Sequence, residues 1–90
     1  MYYYVYILKS RYHNKSYVGY TENVQKRLEE HNQGKNAYTK KYKPWILIHR
    51  EEYGNKENAI TREKYYKTHS GRNRLKKIFD DYQKRQLSNN

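Results

Sequence analysis

Apolar and polar positions change their spacing along the chain, and each change marks an element. Tyr2 to Leu8 is dense in aromatic and β-branched residues, the pattern of a strand covered on both faces. The polar run "SRYHNKS" that follows has the chemistry of a hairpin loop. Tyr17 to Tyr20 reads as the returning strand, and Gly19 inside it marks a bulge or a close backbone approach. Thr21 predicts the cap of a helix from Glu22 to Asn32, with Gly34 just past its end. Val24 and Leu28 form its apolar seam, and Arg27 and His31, also four apart, flank that seam. Lys35 to Lys43 reads as a basic loop ending at Pro44, and Trp45 to Tyr53 as a third strand. Gly54 and Asn55 turn the chain into a helix that Gly71 breaks. A last helix places Leu75, Ile78, Phe79 and Tyr82 at i, i+3, i+4 and i+7. The order β-β-α-β-α-α predicts an α/β (α+β) domain: a small, three-stranded, mainly antiparallel sheet flanked by helices. One domain is expected over residues 1–86, with residues 87–90 a disordered tail.

One position disturbs the pattern. Ala59, Ile60 and Tyr66 recur at helical spacing and predict a core-facing stripe, yet Glu63 falls among them. With Ala59 at zero on a helical wheel, Glu63 lies at roughly 40° and Ile60 at roughly 100°. An unpaired carboxylate there costs several kcal/mol. Two readings stay open: a boundary carboxylate paired with Arg or Lys, or a ligand for a hard divalent cation such as Mg²⁺.

Charge narrows the partner. The chain carries 20 Lys+Arg against 9 Asp+Glu, a formal +11, which predicts a polyanionic partner and most simply nucleic acid. Lys35, Lys40, Lys41 and Lys43 interleave with Tyr38 and Tyr42, and Arg72, Arg74, Lys76 and Lys77 cluster at the start of the last helix. Both stretches suit phosphate contacts, or else form solvated faces. There is no cysteine, which excludes disulfides, thiol chemistry and Cys-based zinc sites. No apolar run approaches the roughly 20 residues that span a bilayer, and no signal peptide is apparent, so a cytoplasmic location without membrane attachment is expected.

Thirteen of the residues are tyrosine, so tyrosine must build much of the core. Tyr6 and Tyr17 on adjacent strands fit that packing role, or that of a phenolate base. With a reference pKa near 10, such a base is about 0.1% ionised at pH 7, and a cation within about 4–6 Å lowers the pKa by about 1–3 units. Lys9, Arg27 and a metal are the candidate cations.

Taken together, "YVYIL" at Tyr4 to Leu8, "YVGYT" at Tyr17 to Thr21, "NVQKRLEEHNQG" at Asn23 to Gly34, "YT" before "PW" at Pro44, and Ala59, Glu63 and Lys67 in order resemble the GIY-YIG endonuclease superfamily in its small single-domain bacterial branch. The first motif departs from the family's pattern, with Tyr4 in place of its glycine. The resemblance implies Tyr6 as general base, Tyr17 as a group positioning water and phosphate, Gly19 as the close of the second motif and Lys9 as a lysine near the active site. It implies Arg27 as the phosphate-stabilising arginine, His31 as an active-site histidine and Glu63 as the ligand of a single Mg²⁺ or Mn²⁺. The implied activity is metal-dependent hydrolysis of DNA phosphodiesters, in DNA repair or recombination. The other readings are a nucleic-acid-binding module with little catalysis, or an accessory subunit whose protein partner supplies specificity. Oligomeric state and the preferred DNA structure stay open.

Overall fold

The computed structural model describes residues 1–88. Strands β1 (Tyr3–Ser10), β2 (Ser16–Thr21) and β3 (Trp45–Tyr53) form one antiparallel sheet in the order β2-β1-β3. Around it lie α1 (Val24–Asn32), α2 (Ala37–Lys41), α3 (Lys56–Tyr65) and α4 (His69–Ser88). The expected α+β class and the mainly antiparallel sheet hold, with one short helix added.

Alternation along central β1 creates two cores. Val5 and Ile7 point to one face and are buried with Ile48, Ala59, Tyr66 and Ile78 under α3 and α4. Tyr6 and Leu8 point to the other face and are buried with Val24 and Trp45. The expected stripe of α4 is present: Leu75, Phe79 and Tyr82 pack around buried Ile78. Against β3 the register slips between Ile7, which faces His49, and Leu8, which faces Leu47. Ile48 is the extra residue of that bulge.

Several boundaries differ from expectation. Asn23, not Thr21, caps α1: its side chain accepts from the Lys26 amide at 3.1 Å, while Thr21 Oγ1 accepts from the Asn23 amide at 3.2 Å. The stretch expected as a basic loop contains α2, because the Asn36 side chain caps it by accepting from the Tyr38 and Thr39 amides. Gly71 does not break a helix. It lies buried inside α4, where a Cβ would overlap the Tyr65 carbonyl at the end of α3. The chain turns at Thr68 instead, whose Oγ1 donates to the Tyr65 carbonyl at 2.6 Å and accepts from the Gly71 amide at 3.1 Å. Helix α4 continues through Ser88, so Leu87 and Ser88 are helical where a disordered tail was expected. Asn89 and Asn90 lie outside the described residues. Among the described residues no helix is long and apolar enough to cross a membrane.

A carboxylate that periodicity did not single out fastens α3 to the sheet. Glu51 on β3 accepts from His49 Nε2 at 2.8 Å, Tyr53 Oη at 2.9 Å, Arg62 Nε at 2.8 Å and Tyr66 Oη at 2.5 Å. Burial alone would raise this carboxyl, but the hydrogen bonds, led by Arg62, pull it down to about 2.

Candidate functional site

Tyr6, Tyr17, Gly19, Arg27, Glu63 and Lys67 line one hollow of about 310 Å³ at the β2 edge of the sheet. The register explains the first three. Tyr6 pairs with Gly19 and Leu8 with Tyr17 across β1 and β2, so Tyr6, Gly19 and Tyr17 share a face. Gly19 is the close backbone approach rather than a bulge, because the β1–β2 register is unbroken. The Tyr6 and Tyr17 ring centroids lie 6.2 Å apart. Helix α1 supplies Arg27 and His31 from adjacent turns, while α3 supplies Glu63 and the turn just past its end supplies Lys67.

Tyr6 is buried, and its Oη lies 2.9 Å from Nε2 of the fully buried His31. On the far side of the ring, His31 Nδ1 lies 2.9 Å from Thr39 Oγ1, which donates its own proton to the Asn36 carbonyl at 3.3 Å. With the Thr39 proton directed at the Asn36 carbonyl, we assign the tautomer in which Nδ1–H donates to Thr39 and the Nε2 lone pair accepts from the Tyr6 phenol. Burial and the Arg27 guanidinium push His31 down to about 4, so the ring is neutral at pH 7. Burial, together with the Tyr17 phenol, pushes Tyr6 well above the usual tyrosine range, and Arg27 opposes this only in part. Of the candidate cations Arg27 arrives and lowers the Tyr6 pKa, but desolvation outweighs this one guanidinium.

Lys9 does not arrive. It follows Leu8 on β1 and so faces the other side of the sheet, where it lines a separate groove against α4 and its Nζ donates to the Ser10 carbonyl at 3.0 Å. Arg27 is half-buried and ion-paired to Glu30 at 3.0 Å.

Glu63 combines features of both readings. Its carboxylate pairs with Lys67 at 3.0 Å, and its side chain is 14% exposed against 70% for the lysine. It also lines the hollow beside Tyr6. Among the described residues no cluster of three or more His, Asp or Glu could hold a metal. One hard carboxylate in an open hollow fits an ion that keeps most of its waters and takes phosphate oxygens, as Mg²⁺ does. It does not fit a fully protein-ligated site.

The basic residues divide between two places. Lys40 and Lys41 lie on α2, whose Thr39 holds His31 and whose Tyr38 ring stands 6.3 Å from Tyr17. Lys35 and Lys43 are exposed on either side of this helix. Arg72, Arg74, Lys76 and Lys77 are exposed on α4, and Arg72 and Lys76 line the groove that Lys9 enters. Thr39 and Glu30 were missed as site residues, because a threonine in a basic stretch and a helix-surface glutamate carry no anomaly of spacing.

The model of the GIY-YIG catalytic domain matches residues 2–77. A UPF0213 protein of Staphylococcus haemolyticus is 45% identical over 76 residues, covering 83% of this chain and 92% of the relative. A UPF0213 protein of Staphylococcus saprophyticus is 38% identical over the same shares. The solution NMR structure of a UPF0213 protein from Bacillus halodurans superposes with a TM-score of 0.52 at 32% identity, covering 87% of this chain and 85% of that one. The paired tyrosine strands, the helix arginine and this match agree: the chain belongs to the GIY-YIG catalytic-domain family, beside the small bacterial UPF0213 proteins.

Proposed function

We propose that the chain is a Mg²⁺-dependent nuclease that hydrolyses DNA phosphodiesters at the Tyr6–Arg27–Glu63 hollow. The observation that carries this reading is the convergence of a phenol, a guanidinium and a partly buried carboxylate on one open hollow. Packing alone does not require these three groups to meet.

Tyr6 is the base, and His31 makes it one. A phenol with a raised pKa is a poor base by itself, but its proton already points at a neutral imidazole. As the attacking water gives its proton to Tyr6 Oη, the phenol proton passes to His31 Nε2, so the phenolate need not form first. Thr39 holds the ring in the tautomer that accepts this proton. Arg27 offers paired hydrogen bonds to the phosphate as charge builds on it, and Tyr17 orients water and phosphate from the neighbouring strand. Glu63 would hold the divalent ion once Lys67, which is mostly exposed, swings away. A bound ion supplies charge neutralisation at the phosphate and at the leaving 3′ oxygen. Lys9 is left out of this scheme, since it faces the opposite side of the sheet. Lys40 and Lys41 of α2, the helix whose Thr39 holds His31, extend contact along the phosphate backbone.

The test is a cleavage assay over a panel of duplex, flap, junction and single-stranded DNA, with and without Mg²⁺. Nicking that leaves 5′ phosphate and 3′ hydroxyl ends, stops with chelator and is lost in both Glu63→Ala and Tyr6→Phe supports the reading. Turnover retained in both variants ends it. Salt-dependent binding with no cleavage under any condition replaces it with a binding module.

A further inference from the structure

A second concavity is larger than the hollow just described. A groove of about 690 Å³ runs between the β1–β2 loop and α4, on the sheet face opposite Tyr6. Its size is that of a ligand site. Lys9 and Arg11 enter it from the strand side and Arg72 and Lys76 from the helix side, against a single carboxylate, Asp80. Among the described residues none of these four cations is ion-paired with a carboxylate, although ion pairs form elsewhere in the fold. Four cations sharing one groove repel each other, and Arg72 stands in the first turn of α4, which holds no acidic residue. A helix N-terminus favours carboxylates and disfavours cations. Both arrangements cost stability in the free protein, and an anion in the groove relieves both.

The groove is not purely ionic. Leu75 and Phe79 line it from α4, and the Tyr12 ring at its rim is 72% exposed and carries the Arg11 guanidinium 5.7 Å from its centroid. The loop that presents Tyr12 is held in place. Ser10 N donates to the Lys15 carbonyl at 3.0 Å, Arg11 N to the Pro44 carbonyl at 3.0 Å and His13 N to Ser10 Oγ at 3.2 Å. Cations alongside the exposed Tyr12 ring and the partly exposed Leu75 and Phe79 side chains form the pattern that binds a strand with unpaired bases: phosphates meet the charges and bases stack on the rings. A duplex keeps its bases inside and offers nothing to Tyr12 or Phe79.

We infer that this groove is a second nucleic-acid site, which takes a short single-stranded segment on the face opposite the hollow. The inference rests on the groove's own chemistry and stands whether or not the hollow cleaves. Its consequence is that one molecule holds two stretches of nucleic acid at once, such as a duplex at the hollow and an unpaired arm behind it.

The experiment uses the full chain in EDTA, where cleavage is silent, and a labelled oligothymidylate as probe. Anisotropy titrations should give weaker binding by about tenfold for Arg72→Glu/Lys76→Glu. The slope of log K against log salt should shrink by about 1.4, two single-strand phosphate contacts at about 0.7 each. Tyr12→Ala, at an exposed position, should weaken binding at least about fivefold, whereas Gly54→Ala, which lines neither the groove nor the hollow, should not. In amide NMR spectra of the unaltered protein the oligomer should shift Tyr12 to Asn14 and Leu75 to Phe79. Shifts confined to Gly19, Tyr20 and Arg27 overturn the inference. So does equal affinity of the groove for blunt duplex, or displacement of the oligomer by polyglutamate of equal charge, which would mark an acidic-peptide site instead.

Discussion

Gly19 lies beneath the phenol of Tyr6 so closely that a Cβ at Gly19 would stand 2.6 Å from Oη and 2.8 Å from Cζ. The Tyr6 ring is buried and tied to His31, so it cannot swing clear. Gly19→Ala therefore displaces Oη from His31 and from the hollow. We expect a loss of about 1–3 kcal/mol in urea denaturation, typical of overpacking, together with at least a hundredfold loss of nicking. Gly54→Ala is the control. Nothing lies within 4 Å of a Cβ there and its φ is not positive, so it should be neutral or stabilising by about 0.4–1 kcal/mol. Full nicking by Gly19→Ala would show that the position of Oη is not critical.

Two glutamates separate structural from chemical roles. Glu51 is enclosed by Arg62, Tyr66, His49 and Tyr53, and its removal leaves a half-buried guanidinium without its partner. Glu51→Ala should cost about 2–4 kcal/mol and leave the remaining folded protein able to bind metal. Glu63 has one exposed lysine partner, a contact worth less than about 1 kcal/mol. Glu63→Gln should keep the thermal midpoint within a few degrees of wild type while abolishing Mn²⁺ binding, read by paramagnetic broadening. A Glu63→Gln variant that binds Mn²⁺ as wild type does would remove the metal from this position.

Much of this was legible in the chain because period reports burial. The strand β3 was read with its observed ends, and the Leu75-to-Tyr82 stripe faces the core as its spacing requires. Glu63 stood out because it broke a stripe. Glu51 did not, because on a strand its neighbours His49 and Tyr53 share its face and make it look ordinary, while Arg62 and Tyr66 come from another element. The same limit hid the separation of Lys9 from Tyr6. Proximity in sequence suggested a shared site, but an odd number of steps along a strand puts a side chain on the opposite face. Gly71 was misread because a glycine required by a crossing helix and a glycine that ends a helix look alike in one sequence. Only the Tyr65 carbonyl beside it distinguishes the two.

Thr39 is a positioning residue, and its effect should appear in the chemical step rather than in binding. Thr39→Val keeps the shape but leaves His31 Nδ1–H unpaired and buried, which favours the other tautomer and turns Nε2 from acceptor to donor. Single-turnover nicking should fall about 10- to 100-fold with DNA affinity unchanged, and folding stability should fall by about 1–3 kcal/mol. Thr39→Ser should restore the rate, because it returns the hydroxyl. A Thr39→Val protein that cuts at the wild-type rate would separate the tautomer from catalysis.

The same buried ring should set how the fold responds to acid. His31 titrates near 6.5 when unfolded and is held at about 4 in the fold, by burial first and then by Arg27, with Glu30 opposing weakly. Between those values the unfolded chain binds a proton that the native state refuses. Stability is therefore full above about pH 6.5 and declines as pH falls toward 4. The loss is of order 3 kcal/mol at about 1.4 kcal/mol per unit. Glu51, held at about 2 by its donors, loses its contribution over a lower window, as pH falls from the ordinary carboxylate value near 4.5 toward 2. Urea midpoints measured from pH 7.5 to 3 should thus fall in two successive stages. His31→Gln places an amide oxygen where Nε2 accepted and removes the titration, so its midpoints should stay level between pH 6.5 and 4.5 and fall only below that. Wild-type midpoints that are level from pH 6.5 to 4.5 would mean that His31 takes up its proton in the folded state without penalty, and that the Tyr6 phenol is not committed to it as donor.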